Sequence, residues 1–163
     1  MLTKDQFIEG FITELNIIRH LATKITPEML DYRPTEKQRS LSELLNYLGH
    51  IFELGTDLTI AGSSKGYMDL AAKAPKATLE NFDSVMDTQA QSLREKLGAL
   101  SDAELAEVVE IWGWSAPRAI HLMGVMKWSV AYKMQLFLYL KSNGRSELET
   151  QNLWRGTDPA PKQ

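Results

Sequence analysis

Residues 117–141 read PRAIHLMGVMKWSVAYKMQLFLYLK, and this stretch decides how the chain folds. Ser115 is a plausible N-cap, Pro117 is tolerated in a first helical turn, and Asn143-Gly144 supplies a left-handed stop, so the segment is predicted to be one long helix. Residues placed at 100° steps sort it into faces. One stripe collects His121, Val125, Trp128, Tyr132, Gln135 and Tyr139. Most of the remaining surface is Leu, Met, Val and Phe, interrupted by Lys127, Lys133 and Lys141, which read as a solvated edge or as snorkelling stems. A helix apolar nearly all round is a buried one, so it is expected at the centre of a bundle. The stripe of rings with polar tips is where a site should be sought.

Composition bounds the rest. At 163 residues the chain fits one domain, 1–163, with a core large enough to need no staples and a polar tail from about residue 145. It has no cysteine, which excludes disulfides, thiolate nucleophiles and Cys-ligated zinc. With 18 basic against 21 acidic residues and a pI near 5.6, it lacks the cationic face of a nucleic-acid binder. Lys4, Asp5 and Glu9 break any apolar run near the start, and no stretch of about 18 apolar residues is available to span a bilayer. The expectation is a cytoplasmic protein with neither nucleic acid nor membrane as partner.

Working outward, Thr3-Lys-Asp-Gln6 is a capping-box pattern ahead of Phe7, Ile8, Phe11, Ile12, Leu15, Ile18 and Leu21, which predicts a first helix ending near Ile25. Thr26-Pro27-Glu28 opens a short turn, and residues 31–39, with Pro34, read as a loop whose corner residue Arg33 pairs with a carboxylate. Ser40-Leu-Ser-Glu43 starts a second helix carried by Leu41, Leu44, Leu45, Leu48, Ile51 and Phe52 to about Ala61. Residues 62–77 read as a loop with a turn of helix near Met68–Ala72. From Thr78 to about Leu100 helical spacing returns as a third long helix, and Ser101-Asp-Ala-Glu104 caps a short extra one. Ile111-Trp-Gly-Trp114 crosses to the central helix; Trp112, Trp114 and Arg118 are expected to anchor that crossing or to form a lip over a pocket. Trp154 is expected to pin the tail to the body, with the last few residues mobile. No useful run alternates with period two, so no sheet is expected, and the fold class is all-α: a four-helix bundle with long, unequal connections.

His20, His50 and His121 fall on three different long helices, and three imidazoles can in principle hold zinc or nickel in a bundle core. Yet His50 lies about 180° from Leu41 on its helix, and no H-x-x-x-H or E-x-x-H pair is present. The reading of the residues is that no metal is held.

The run from Thr26 to Ile51, TPEMLDYRPTEKQRSLSELLNYLGHI, resembles the first signature of the DinB-like (YfiT-like) bundle superfamily, in which a Tyr/Trp-Arg-Pro corner and a Ser-x-x-Glu-Leu-Leu step lead into the second helix. The run KWSVAYKMQLFLYLKSNG is similar to the family's second signature, with Gln135-Leu, Tyr139-Leu-Lys141 and Gly144 at its spacing. Such a resemblance implies a divalent metal held by three histidines, one on the second helix and two at i, i+4 on the fourth. In this sequence those positions are Tyr47, Trp128 and Tyr132. An indole N–H only donates, and a phenol gives up its proton near pH 10, so these are poor ligands.

The candidate ligand pocket is therefore Tyr47, His50, His121, Trp128, Tyr132, Gln135 and Tyr139, with no catalytic residue and no cofactor assigned. In one reading the rings fill the space of a metal, with polar tips bonded to Gln135 or His121; in the other they line a cleft. Three functions remain open: a bundle without its metal, working as a small-ligand-binding or interaction module and a homodimer; a metal-dependent thiol S-transferase or hydrolase-type enzyme of the kind the resemblance implies, using glutathione or bacillithiol, with zinc or nickel held through His50 or His121; or a structural stress-response protein without a ligand site.

Overall fold

The long helix does form, as Arg118–Ser142, and the remaining elements are arranged around it. The structure, a computed structural model, describes residues 3–160. In chain order these form α1 (Lys4–Ala22), a 3-10 turn (Pro27–Met29), α2 (Leu41–Leu48), α3 (Ile51–Ala61), α4 (Tyr67–Lys73), α5 (Phe82–Ala99), α6 (Asp102–Ala106), β1 (Val108–Ile111), β2 (Trp114–Pro117), α7 (Arg118–Ser142) and α8 (Thr150–Arg155). The expected mobility of the final residues concerns a segment outside the described residues from 161 onward.

The three expected capping boxes close in the structure, at Thr3/Gln6, Ser40/Glu43 and Ser101/Glu104, and each satisfies backbone N–H groups that a helix start leaves bare. α1 packs on α5 and α7, while α3 packs on α7 and α5, so four rods enclose one core. Phe11, Leu15, Leu45, Phe52, Met86, Leu93 and Leu136 are fully buried in it, with Phe11 and Phe52 edge to face at 6.2 Å. The all-α bundle is as expected, and no described helix is long and apolar enough to cross a membrane.

Several local expectations are corrected. The second helix is broken: α2 stops at Leu48 and α3 starts at Ile51, with His50 at φ −140° between them. The side chain of Gln89 from α5 makes the break possible. Its Oε1 accepts from the N–H groups of Phe52 and Glu53, and its Nε2 donates to the Leu48 carbonyl, so both raw ends are satisfied by one amide.

A small antiparallel sheet is also present. Val109 and Ile111 point inward while Val108 and Glu110 face out, and Trp112 (φ 50°) and Gly113 (φ 76°) form the two-residue turn with Ile111 opposite Trp114. Positive φ at both central residues is what a tight hairpin requires. Ser115 consequently sits in β2 and not at a helix cap; Pro117 occupies the N-cap position of α7.

α7 is not buried on all sides. Ile120, Met123, Met134 and Leu138 are between 37 and 53% exposed. Lys133, by contrast, is 1% exposed and not a solvated edge: its ammonium lies 2.6 Å from the Glu14 carboxylate of α1 and 4.6 Å from the Trp154 ring. The tail is pinned by Leu148, Asn152 and Leu153 of the α8 region, while Trp154 stays half open above that ammonium. The third long helix begins at Phe82, because Asn81 Oδ1 accepts from both the N–H and the hydroxyl of Thr78 and holds residues 78–81 in a turn.

Candidate functional site

Along α7, a residue every three or four positions faces the α2–α3 side, and a different element covers each. Nearest the start, His121 is buried; its Nε2 bonds to the Val109 carbonyl at 3.1 Å and its ring meets Trp114 at 4.7 Å. Here the hairpin is the lid. Arg118 anchors the same end, donating to the carbonyls of Thr59 and Glu104 and pairing with Glu107 at 2.9 Å.

Two turns on, Trp128 presses against α3 at Gly55. A Cβ at that glycine would lie 2.6 Å from the indole, so the close approach requires the missing side chain. Trp112 at the hairpin tip stands 6.0 Å from Trp128 and 6.0 Å from Tyr67, which makes a cluster of three rings. These contacts offset the left-handed backbone that Trp112 adopts.

One turn further, the Tyr132 hydroxyl donates to the Tyr47 hydroxyl at 3.2 Å, with ring centroids 5.0 Å apart. Tyr47 also meets the His50 ring at 5.9 Å and carries the Arg39 guanidinium over its own ring, 4.0 Å from the centroid. Burial, then the neighbouring Tyr132, pushes the Tyr47 phenol well above its ordinary range, so it stays protonated at neutral pH. Burial likewise lowers His50 and keeps it neutral, against a smaller opposing pull from the Asn46 backbone. Gln135 donates to the Tyr139 hydroxyl at 2.9 Å, and that hydroxyl donates to the Arg39 carbonyl at 3.1 Å.

Of the residues expected to share a pocket, Tyr47, His50 and Tyr132 are therefore in direct contact. Gln135 and Tyr139 join them through Arg39, Trp128 sits a turn away among other rings, and His121 lies apart beneath the hairpin. The phenols of Tyr47 and Tyr132 bond to each other, not to Gln135 or His121. Arg39 went unnoticed in the sequence because an arginine in a polar loop carries no periodic signal. A groove of about 480 Å³ opens on this cluster, walled by Arg33, Glu36, Lys37, Gln38, Arg39, Glu43, Asn46, Tyr47 and His50. Arg33 holds its rim as a loop corner, pairing with Glu43 at 3.4 Å and donating to the Gln38 carbonyl.

With the helices, the break and the ring seam in place, the chain can be set beside known proteins. Its overlay on the crystal structure of the Bacillus subtilis DinB-like protein YjoA covers 92% of this chain and 98% of that one, with a TM-score of 0.74 at 20% identity. This chain has the DinB-like fold. The same B. subtilis protein, described as uncharacterized, is 22% identical over 155 residues, which cover 91% of this chain and 96% of the relative. No family model matches the sequence.

The DinB-like resemblance implies a divalent metal, and the residues at its ligand positions do not fit one. Tyr47 keeps its proton, Tyr132 has its hydroxyl engaged with Tyr47, and the Trp128 indole has no lone pair to offer. Among the described residues, no group of three His, Asp or Glu side chains is disposed to hold an ion instead. His20 is tied to Asn152 at 3.2 Å at a different place on α1.

Proposed function

We propose that this protein is a small-ligand-binding module built on a DinB-like bundle whose metal ligands have been replaced by Tyr47, Trp128 and Tyr132. The observation that carries the reading is the 3.2 Å contact between the Tyr47 and Tyr132 hydroxyls, two phenols in the seam where the resemblance expects imidazoles. Paired phenols supply no Lewis acid, and the raised Tyr47 phenol is no activated nucleophile. They do supply what a binding site uses: rigid rings with hydrogen-bonding tips at the edge of a preformed groove. In this reading Tyr47 and His50 contact the ligand, Tyr132, Gln135 and Tyr139 fix their positions, and Trp128 and His121 stiffen the same face of α7.

The partner in this reading is a second copy of the chain. Ile120, Met123, Lys127, Ala131, Met134 and Leu138 form an outward stripe on α7, about 27 Å long at helical rise. An antiparallel copy about a two-fold axis at the level of Ser129 aligns Ile120 with Leu138 and Met123 with Met134, which is the self-complementarity that such an interface needs. Light scattering is expected to give twice the 18.4 kDa chain mass, and a monomer at all concentrations contradicts the pairing.

The ligand reading is tested by a thermal-shift screen of thiols and of aromatic and organic-acid metabolites on metal-stripped protein. A compound that binds only the folded state raises the melting temperature without added metal. Thiol transfer that appears only on loading zinc or nickel contradicts the reading.

A further inference from the structure

We propose that the groove beside Tyr47 recognises the carboxylate of a small monoanionic organic acid, with the Arg39 guanidinium as its anchor; this rests on the ligand-binding reading above and adds the class of ligand. Arg39 differs from the other arginines near it. Arg33 is spoken for by Glu43 and the Gln38 carbonyl, whereas Arg39 forms no ion pair among the described residues. It is nevertheless held, because its guanidinium lies 4.0 Å over the Tyr47 ring and its own carbonyl accepts from Tyr139. A stacked guanidinium has already lost much of its rotamer freedom while its N–H fork stays available, and that fork matches a carboxylate in two-point geometry.

The neighbouring groups suit the same ligand. Tyr132 donates to the Tyr47 hydroxyl, so the proton of Tyr47 is free to be donated in turn. Asn46 spends its Oδ1 on the Ala77 N–H, which leaves its amide N–H₂ as a donor on the groove wall. His50 adds a neutral ring to the groove wall. Of the charges on the walls, Arg33, Lys37 and Arg39 outnumber Glu36 and Glu43 by one. A single net positive charge with donors clustered around one fork fits a monocarboxylate; a phosphate dianion would leave charge uncompensated.

The test uses the full chain, with benzoate as probe, benzamide as its neutral isostere and inorganic phosphate as a dianion, read by amide chemical shifts and by melting temperature. Benzoate is expected to perturb Asn46, Tyr47 and His50, and to bind about tenfold or more tightly than benzamide or phosphate, in line with the strength of a charged hydrogen bond. Arg39→Gln retains the backbone carbonyl that Tyr139 uses and is expected to weaken benzoate about tenfold while keeping the same melting temperature. Arg39→Lys recovers part of that loss, and Lys65→Gln, an exposed lysine outside the groove, changes it by less than about twofold. If benzoate and benzamide shift the same amides with equal affinity, or if Arg39→Gln binds benzoate as the parent does, the carboxylate assignment is overturned while the groove remains a ligand site. If none of the probes perturbs the groove, both this inference and the reading beneath it fail.

Discussion

The Tyr132 hydroxyl donates to the Tyr47 hydroxyl across the seam between α7 and α2, at 3.2 Å and with the two rings tilted 66°. The two ends of this bond are not equivalent. Tyr47 reaches the groove, where water can replace a lost partner, while Tyr132 depends on Tyr47 for its acceptor. Tyr47→Phe is therefore expected to cost about 1 kcal/mol and Tyr132→Phe less, with the double variant close to Tyr47→Phe alone. Urea denaturation of the four proteins checks this. Strict additivity would show that the hydroxyls do not interact.

Gln89 should matter more for stability than any polar residue of the seam. It is 1% exposed and serves three backbone groups at the α2–α3 break. Gln89→Leu keeps the volume and strands those groups, so a loss of about 3 kcal/mol is expected. Hydrogen exchange at the amides of Phe52 and Glu53 should accelerate beyond the global loss of stability. A change under about 1 kcal/mol would mean that the break is held by something else.

The buried pair of Lys133 and Glu14 gives a third expectation. Lys133→Met leaves the Glu14 carboxylate, 20% exposed, without its counter-charge and removes the cation beneath Trp154, for a cost of about 3 kcal/mol. Replacing both, with Glu14→Leu added, is expected to recover most of the loss, since a buried ion pair exchanged for apolar side chains is often near neutral. Thermal unfolding of the single and double variants decides it; a double variant worse than Lys133→Met alone contradicts the account.

Histidine titration sets the pH dependence near neutrality. Burial lowers both His50 and His20 in the folded chain from the ordinary value of 6.5. In the window just below that value the unfolded chain binds more protons than the folded one, so stability falls as pH drops below about 6.5 and is fully present above it. His50→Gln is expected to flatten this slope in denaturation midpoints taken across the window. An unchanged slope in His50→Gln would assign the effect to His20 alone.

How much of this was legible in the sequence follows from the physics of each signal. Capping boxes and apolar periodicity are local and repeated, so α1, the start of α2, α6 and the body of α7 could be read from residues alone. The α2–α3 break could not, because its cause is an amide on α5, Gln89, thirty-seven positions from the N–H of Phe52. The hairpin had a signal, Val108-Val109-Glu110-Ile111 ahead of Trp-Gly, but Trp112 is an unusual residue for a left-handed turn position and its rings compensate only in three dimensions. Lys133 looked like an edge residue because nothing in its own helix announces Glu14 on α1. In the site, the stripe from Trp128 to Tyr139 was visible as a helix face, whereas the joining role of Arg39 depends on the loop folding back over Tyr47.

The central claim is that the seam of this DinB-like bundle works without a metal. Elemental analysis of protein purified without affinity tags, loaded with zinc and nickel and then dialysed, tests it most directly. The account predicts metal far below one ion per chain and an unchanged melting temperature. One tightly held ion per chain, lost on Tyr47→Phe or Tyr132→Phe, would contradict it.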